Sequence, residues 1–441
     1  MRTPSPSSRL VEGTLGLLSL VAFATNGAAQ VHRPLERNPL GDQLGMSVAA
    51  VGDVNGDGKC DFVAGALRSA VGAPGYAVVI SGADGAVLRR VNGAADDDFF
   101  GIAVGGGGDL NGDGIGDFVV GAINWRSRAD DGVPGYIRVY SGATGELLLH
   151  VAAPTESELF GQSIALIPDV DADGHCDIAV AAPALDLNVD SRLGELIVLS
   201  GATGERLYSV QGESRRDEFA TALAPIQDLN GDQVGDLLVG APGFAAQKED
   251  GGYVRGICGR TGQTIFTVRG SVRQGGFGAR VAAGADLDGD SIEDFVVAFS
   301  RGGKASTHSV QVFSGATREW ISGGEPSSAS TASVALLRSP SPSGASQILL
   351  AHPQAASGHL RIKPLEGDGI AFDVDLLFRG GGMNLCGIGD IDSDGVADFA
   401  MGCPWATPLD EPFGPSIGEL RLVSGRTGAV LSRVLGGIGG P

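Results

Sequence analysis

The chain has 441 residues, of which 43% are hydrophobic, and a formal net charge of -21. The hydrophobic content is too high for a disordered chain, while 72 glycines and few aromatic residues disfavour long helices and predict frequent turns. The acidic charge excludes nucleic acid and anionic membranes as expected partners, because both need a basic face, and it makes divalent cations the natural counterparts.

The N-terminal segment has the features of an export signal. Arg2 and Arg9 precede an apolar run over 15–24, which small residues follow. We therefore predict a signal peptide over 1–29 and a single mature domain over 30–441, secreted or extracytoplasmic, in the periplasm or at the cell surface. An ordinary apolar leader on a cytosolic protein is the alternative. No later segment approaches about 20 apolar residues, so no membrane span is expected.

An acidic motif begins directly after the first predicted strand and recurs along the chain. Its first copy is DVNGDGKCD, which is followed by the apolar run FVAGA. The first five copies begin 56, 60, 59 and 58 residues apart, whereas the last follows a gap of 104, nearly two periods. We call these nine-residue segments the acidic loops: 53–61, 109–117, 169–177, 228–236, 286–294 and 390–398.

A degenerate copy fills the long gap. The segment Ser333–Pro353 keeps the apolar frame but has Ser339, Ser341, Ser343 and Gln347 where the acids belong. We expect this sixth repeat to fold like the others and to bind no ion. The chain then contains seven repeats, at about 40–95, 96–154, 155–213, 214–272, 273–325, 326–376 and 377–438.

Each repeat contains short β-type segments at matching places. A Phe-Gly or similar pair precedes each acidic loop, a Gly-Ala pair follows it, and a turn such as SGATG comes later. Runs such as 117–122, 136–140 and 146–151 are rich in β-branched and apolar residues and are bounded by Gly, Asp or Pro, which predicts strands. Four strands per repeat at a constant period predict a β-propeller, whose blades bury their faces against one another.

These repeats resemble FG-GAP repeats, the units of the integrin alpha-subunit N-terminal propeller and of many exported bacterial proteins. The resemblance covers about residues 40–436 and rests on the Phe-Gly pair, the acidic loop and the Gly-Ala-Pro element in constant phase. It implies an all-β fold, a seven-bladed β-propeller of four-stranded repeats with calcium-binding hairpin loops between first and second strands. The chain departs from the pattern at Ala220, which replaces a glycine, and at 298–300, where Ala-Phe-Ser replaces Gly-Ala-Pro.

The acidic loops carry the ligands of a hard cation. Side-chain oxygens at the first, third, fifth and ninth positions, with the carbonyl of the seventh, can converge on one ion, as in the first half of an EF-hand loop. All-oxygen ligands favour Ca2+ over Zn2+, and a flexible loop with several carboxylates favours Ca2+ over Mg2+. About six Ca2+ sites are thus predicted, formed by Asp53, Asn55, Asp57, Lys59, Asp61; Asp109, Asn111, Asp113, Ile115, Asp117; Asp169, Asp171, Asp173, His175, Asp177; Asp228, Asn230, Asp232, Val234, Asp236; Asp286, Asp288, Asp290, Ile292, Asp294; and Asp390, Asp392, Asp394, Val396, Asp398.

The sixth position of the loop needs a tight turn, which glycine supplies in four copies. Gln233 and Ser291 replace it in the other two and must adopt its conformation at some strain. Plain Asx-turns without metal are the structural alternative, which explains one copy better than six. The β-type flanks disfavour an EF-hand or dockerin, and the period disfavours an RTX roll.

The resemblance implies that partners bind the face opposite the calcium loops, where second strands connect to third strands. In this chain those connections are the most varied segments. Exposed Trp beside Asp and Arg suits sugar stacking or a protein hot spot, although each Trp could instead cap a blade end beside solvated charges. The candidate ligand-face residues are Trp125, Arg126, Arg128, Asp130, Asp131, Trp405, Asp410 and Glu411.

The predicted function is that of a non-catalytic, monomeric binding or adhesion module for an extracellular protein or glycan. A polysaccharide-active enzyme, a lyase or hydrolase, is one alternative, for which His308, His352 and His359 in adjacent repeats are the one available histidine group. No histidine lies in a nucleophile elbow or in metal-ligand spacing. A structural protein of the envelope is the second alternative.

The sequence does not decide two structural features, a disulfide and the way in which the ring closes. Five cysteines are too few and too scattered for a disulfide framework. Cys386 and Cys403 flank one acidic loop and could face each other across a hairpin, so a single disulfide and two buried thiols are both compatible with the sequence. The ring could close with 429–435 alone, or residues near 31–35 could add a strand.

Overall fold

The computed structural model describes seventeen segments of the chain: residues 30–31, 41–67, 74–95, 98–123, 134–154, 159–183, 193–215, 217–243, 251–270, 276–301, 307–323, 333–337, 347–351, 359–362, 372–375, 384–406 and 417–437. These segments form 29 strands joined by turns and bends. Among them, no helix is long and apolar enough to cross a lipid bilayer.

The first three repeats each form one four-stranded sheet. A two-residue strand, β1 (Gln30–Val31), comes before them. The first sheet contains β2 (Leu44–Gly52), β3 (Asp61–Ala66), β4 (Tyr76–Ile80) and β5 (Val87–Asn92). The second contains β6 (Ala103–Gly108), β7 (Asp117–Ala122), β8 (Tyr136–Tyr140) and β9 (Leu147–Ala152). The third contains β10 (Ile164–Ile167), β11 (Asp177–Ala182), β12 (Glu195–Leu199) and β13 (Arg206–Gln211).

The fourth, fifth and seventh repeats follow the same plan. The fourth sheet contains β14 (Ala222–Ile226), β15 (Asp236–Ala241), β16 (Tyr253–Ile257) and β17 (Thr264–Arg269). The fifth contains β18 (Arg280–Ala285), β19 (Asp294–Arg301), β20 (Thr307–Phe313) and β21 (Trp320–Gly323). The sixth repeat supplies β22 (Ser333–Leu337), β23 (Gln347–Ala351), β24 (His359–Ile362) and β25 (Phe372–Asp375). The seventh contains β26 (Asn384–Gly389), β27 (Asp398–Cys403), β28 (Glu419–Val423) and β29 (Val430–Leu435).

Each four-stranded sheet is a meander in which sequence neighbours pair antiparallel. In the second sheet, Ala103 lies opposite Gly121, and Phe118 lies opposite Tyr140. The second strand of a sheet, such as DFVVGA in β7, is buried along all six residues, whereas the fourth strand, such as β9, is partly exposed along its length. An apolar inner strand and a more polar outer edge are what a blade needs to pack sideways into a ring.

The blades pack face to face, so each core is shared by two repeats. One cluster joins Val63 and Val79 of the first sheet to Phe118 and Val120 of the second. First strands contact one another in the order β2, β6, β10, β14 and β18, and β26 contacts β2. The molecule is therefore an all-β propeller in which six four-stranded antiparallel blades are resolved as complete sheets.

The sixth repeat occupies the remaining place between β18 and β26. Its strands form two antiparallel pairs, β22 with β23 and β24 with β25. Strand β22 contacts β18 on one side and β26 on the other, and β23 contacts β24. The segment that replaces the acidic loop, with Ser339, Ser341 and Ser343, lies outside the described residues.

The seventh sheet has a fifth strand from the N-terminal side of the chain. Gln30 and Val31 pair in parallel with Ser432 and Arg433 of β29. Of the two closure modes that the sequence allows, the structure therefore has the one with an added strand, at Gln30–Val31. A second link is the parallel bridge between Leu44 and Gly418.

All five cysteines are free thiols, so the disulfide between Cys386 and Cys403 does not form. The strand register explains why these two residues do not meet. Cys386 lies opposite Ala400 on the neighbouring strand, and Cys403 lies opposite Glu419 on the next.

Candidate metal centres and the opposite face

Each acidic loop is the connection between the first and second strands of a blade, and its first aspartate organises the turn. In the first loop, Asp53 Oδ1 accepts the amide of Gly56 at 2.7 Å, and Oδ2 accepts that of Gly58 at 2.7 Å. The hydrogen bond from Gly58, the largest influence, lowers the pKa of Asp53 below its ordinary value. The equivalent bond from the sixth position recurs in every acidic loop, at 2.6 to 2.8 Å.

The sixth position has a left-handed backbone conformation in all loops. Its φ is +83° at Gly58, +69° at Gln233 and +71° at Ser291. The prediction that the last two residues adopt the glycine conformation is thus confirmed. Left-handed backbone costs an L-residue roughly 1 to 2 kcal/mol.

The ninth aspartate is buried and ties its loop to a second turn of the same blade. Asp61 Oδ2 accepts the amide of Val54 at 2.9 Å, and Oδ1 accepts that of Gly82, in the turn between third and fourth strands, at 3.0 Å. The same pair of bonds recurs at Asp117, Asp177, Asp236, Asp294 and Asp398. This carboxylate therefore has a structural role that the sequence pattern alone did not indicate.

Burial acts against the charge of these ninth carboxylates. Desolvation raises the pKa of Asp177 and of Asp398 to about 6, and the hydrogen bonds from backbone amides only partly offset it. Desolvation also raises the pKa values of Asp61, Asp117, Asp236 and Asp294. A cation beside these groups would favour the charged form.

The fifth aspartate accepts bonds from its own loop and from the neighbouring turn. Asp57 Oδ1 accepts the amide of Lys59 at 2.8 Å, and its Oδ2 accepts the hydroxyl of Ser81 at 3.3 Å. In the fourth repeat, the thiol of Cys258 takes the place of that serine and donates to Asp232 at 3.1 Å.

Three of the loops bring three carboxylates together. Within each group, one oxygen per residue lies within 4.8 Å of the others. The groups are Asp169, Asp171 and Asp177; Asp286, Asp288 and Asp290; and Asp390, Asp392 and Asp398. Such all-oxygen sets fit a hard divalent cation, and Ca2+ in particular, because it accepts several carboxylates in flexible geometry.

These three loops have aspartate at the third position, whereas the other three have asparagine there. Asn55 Nδ2 donates to Asp57 at 2.8 Å, and Asn111 Nδ2 donates to Asp113 at 3.0 Å. In these two loops, the third position thereby has a neutral hydrogen-bond donor beside the fifth carboxylate instead of a further negative charge. At the seventh position, an apolar side chain such as Ile115 leaves only the backbone carbonyl as a ligand for a cation.

Neighbouring acidic loops touch one another, which places them at the same end of the ring. Lys59 Nζ of the first repeat donates to the carbonyl of Asp390 at 3.3 Å and to Ser393 Oγ at 2.7 Å in the seventh. The amide of Cys176 donates to the carbonyl of Asp109 at 3.1 Å. The side chain of Lys59, at the seventh position of its loop, therefore contacts the adjacent loop, whereas the predicted ligand at this position is the backbone carbonyl.

In three repeats, a buried aspartate before the Phe-Gly or equivalent pair was not predicted from the sequence. Asp98 accepts the hydroxyl of Tyr136 and the amide of Phe100, and Asp217 does the same with Tyr253 and Phe219. Asp42 accepts the hydroxyl of Tyr76 at 2.8 Å. The signal was present in the sequence, since all three aspartates lie three residues before the Gly or Ala of the pair.

Of the predicted ligand-face residues, the structure describes Trp405. It lies just beyond the second strand of the seventh blade, which ends at Cys403, at the end opposite the acidic loop, and is 42% exposed. The remaining candidates, Trp125, Arg126, Arg128, Asp130, Asp131, Asp410 and Glu411, lie outside the described residues. So do His352 and the side chains of His308 and His359.

The fold and the loops together define the class of this protein: an all-β propeller with acid-rich hairpins at one end of its blades. No family model matches the chain. It is similar to integrin alpha chains, with 32% identity to integrin alpha-5 from Xenopus laevis over 214 residues, 45% of this chain and 20% of the relative. Identity to integrin alpha pat-2 from Caenorhabditis briggsae is 30% over 251 residues, 50% of this chain and 20% of the relative.

The chain thus spans about a fifth of the length of the integrin alpha chains that it matches. Among solved structures, it is similar to a chain in the crystal structure of the mitotic checkpoint complex, with a TM-score of 0.51 and 14% identity. That similarity covers 90% of this chain and 97% of the other. At this identity it shows the propeller fold alone.

Proposed function

We propose that this chain is a secreted or extracytoplasmic calcium-binding β-propeller that acts as a non-catalytic binding module for an extracellular protein or glycan. The observation that carries the proposal is the separation of the two ends of the blades. One end has the same acidic loop in six repeats, and the other has connections of different length and sequence. A repeated end suits a structural ion, and a varied end suits recognition.

The proposal includes a ring of seven FG-GAP-type blades within 30–441, preceded by a signal peptide over 1–29. The contacts of β22 with β18 and β26 support the seventh blade, because they complete a cycle of first strands. On this proposal, β22 to β25 form the blade of the sixth repeat, the one without acids.

It also includes calcium in all six acidic loops. The shared hydrogen-bond pattern of the first, fifth and ninth aspartates supports six sites rather than three. Asparagine at the third position can supply its amide oxygen as a neutral ligand. The role of the ion is structural, since binding to the folded state alone stabilises it by mass action.

A binding screen tests the function. The purified chain, fluorescently labelled, is applied to arrays of glycans and of extracellular proteins in 2 mM CaCl2, which is about a working concentration for extracellular calcium modules, and again with excess chelator. We expect calcium-dependent retention on a small set of related ligands. Retention on no ligand of either array contradicts the binding function, and shortened or unsaturated glycan products contradict its non-catalytic character.

A further inference from the structure

The third and seventh acidic loops have the same carboxylates but different neighbours. Their sequences are DVDADGHCD and DIDSDGVAD, with aspartate at the first, third, fifth and ninth positions. In both loops, the first, third and ninth aspartates bring one oxygen each within 4.8 Å of the others. The same backbone amides bond to the first and ninth aspartates in both. A difference in their affinity for a cation therefore points to the groups around the loop rather than to its carboxylates.

The fifth aspartate has a different partner in the two loops. In both, its Oδ1 accepts an amide of its own loop, at 2.9 Å for Asp173 and at 2.8 Å for Asp394. In the third loop, Oδ2 of Asp173 accepts the neutral hydroxyl of Ser200 at 3.3 Å. In the seventh loop, Oδ2 of Asp394 instead forms an ion pair with Nε of Arg426 at 3.2 Å.

Arg426 lies in the turn between the third and fourth strands of its blade, where the third repeat has Ala202. Its Nη2 also donates to the backbone carbonyl of Asp394 at 2.7 Å, so two nitrogens hold the guanidinium on one residue of the loop. Among the aspartates of the acidic loops, all of which the structure describes, Asp394 is the one in an ion pair. The fourth repeat also has arginine in this turn, and Nη2 of Arg260 donates to the carbonyl of Asp232 at 3.4 Å.

A second cation reaches the seventh loop from the first repeat. Lys59 Nζ donates to the carbonyl of Asp390 at 3.3 Å and to Ser393 Oγ at 2.7 Å. The equivalent residue beside the third loop is Val234 of the fourth repeat, which is apolar and buried. The seventh loop thus has a positive charge at two places where the third loop has a neutral neighbour.

These two cations act in opposite directions on the metal-free loop and on metal binding. A nearby positive charge stabilises ionised carboxylates in the metal-free loop, and it repels an entering divalent cation. Arg426 also pairs with the oxygen of Asp394 to which the loop backbone does not donate, and a cation would use a carboxylate oxygen of this kind. Because the Arg426 side chain is 55% exposed, water screens the pair, and the effect on affinity is a modest factor.

We propose that Lys59 and Arg426 replace part of the calcium charge in the seventh loop, which therefore stays folded without calcium and binds calcium more weakly than the third loop. The place of this loop gives the difference a consequence. Its blade is the one that Gln30–Val31 joins, and Lys59 links it to the first repeat. This junction of the ring then stays closed when calcium is withdrawn. The inference rests on the proposed calcium binding and ranks two of its sites.

Hydrogen exchange measured by mass spectrometry tests the inference loop by loop. Peptides that cover 169–177 and 390–398 are followed in the full chain, first in excess chelator and then at rising free Ca2+. Protection is corrected for the intrinsic exchange rate of each sequence. In chelator, the seventh loop should be about threefold or more better protected than the third. It should also need about threefold or more free Ca2+ to reach half of its final protection.

The variants change the neighbours and keep the carboxylates. Arg426→Ala copies Ala202 of the third repeat, and Lys59→Met removes the ammonium while it keeps a side chain of similar length. Each should lower the half-protecting Ca2+ concentration of the seventh loop by about twofold, and the double variant by about threefold or more, with less protection in chelator. Ala202→Arg is the reciprocal variant and should raise the half-protecting concentration of the third loop. Arg260→Ala is the control, which should leave the seventh loop unchanged.

Equal half-protecting concentrations for the two loops of the unmodified chain overturn the inference, and so does an unchanged seventh loop in the double variant. If the double variant does not fold, Ala202→Arg decides, because a third loop that it leaves unchanged also overturns the inference. These results concern the ranking of the sites and leave calcium binding itself intact. Absence of calcium-dependent protection in both loops at about 10 mM Ca2+, above the range of extracellular modules, would instead contradict the proposed calcium binding and this inference with it.

Discussion

The six acidic loops form two groups that differ at the third position. Comparing them separates the residues that form the turn from the residue that changes the negative charge of the loop. Loops with aspartate there bring three carboxylates within 4.8 Å of one another. In loops with asparagine, the amide of Asn55 or Asn111 donates to a fifth-position carboxylate. The first and ninth aspartates make the same backbone bonds in both groups. The hydrogen bonds that form the turn are therefore independent of the third residue. The charge of that residue instead contributes to the binding of a cation.

Removal of calcium gives the largest expected effect. Each site filled at a free concentration 100 times its Kd contributes about 2.7 kcal/mol to the free energy of unfolding. Excess chelator should therefore lower the melting temperature by several degrees or more, and added Ca2+ should restore it. Scanning calorimetry measures the change, with Mg2+ as the control ion. An unchanged melting temperature would contradict structural calcium in both groups of loops.

Exchanging aspartate and asparagine at the third position tests the difference between the two groups of loops directly. Asp171→Asn should weaken calcium binding at its loop about tenfold, because it removes one carboxylate from the group. Asn55→Asp should strengthen binding at the first loop by a similar factor. Titration calorimetry at low calcium should count one tight site fewer in the first variant and one more in the second. Equal stoichiometry in both variants would show that the third-position charge has no role in binding.

The pH dependence of the metal-free protein tests the ninth aspartates, which both groups share. Their pKa values are raised in the folded state, to about 6 for Asp177 and Asp398, above the ordinary value near 3.9. A raised carboxylate pKa gives stability that is present at low pH and is lost as pH rises through 6. With chelator present, the melting temperature should be higher at pH 5 than at pH 7.

Calcium should weaken or reverse that trend, since it favours the charged carboxylates. Asp177→Asn should reduce the pH dependence of the metal-free protein. His150 acts in the opposite direction, because burial and Arg138 lower its pKa, so its protonation at low pH disfavours folding. His150→Gln is therefore the control, and it should increase the gain at pH 5. A metal-free protein that melts higher at pH 7 would contradict the raised pKa values.

Backbone strain gives the smallest effect. Gln233→Gly and Ser291→Gly should each raise the free energy of unfolding by up to about 1 kcal/mol, since glycine adopts positive φ without a Cβ penalty. Gly58→Ala is the converse control: its added Cβ meets no atom within 4 Å, so any loss reports φ alone. Urea denaturation in chelator measures all three variants. A Gln233→Gly variant that is less stable than the unmodified chain would contradict backbone strain at this position.

Much of the fold was predictable from the sequence because the same pattern of strands, acidic loop and turns recurs along the chain. Alternation and turn residues predicted strands such as β7 and β8 within a residue or so, and the constant period predicted a propeller. The sequence left open whether Cys386 and Cys403 form a disulfide, because a hairpin places two residues opposite each other only in one register; the structure has free thiols at both. The buried aspartates such as Asp98 were missed although they recur three residues before the Gly or Ala of the pair, because a recurring position does not by itself show whether an acid is buried.

The sequence by itself determined the repeats, the acid positions of each loop, and the places where glycine is replaced, because these depend on residues close together in the chain. Only the tertiary structure decided that Gln30–Val31 joins the last sheet, that the ninth aspartates are buried between two turns, and that Lys59 of the first repeat contacts the acidic loop of the seventh. Those relations join residues far apart in sequence. They arise from the closing of the ring, which sets distances that no local pattern contains.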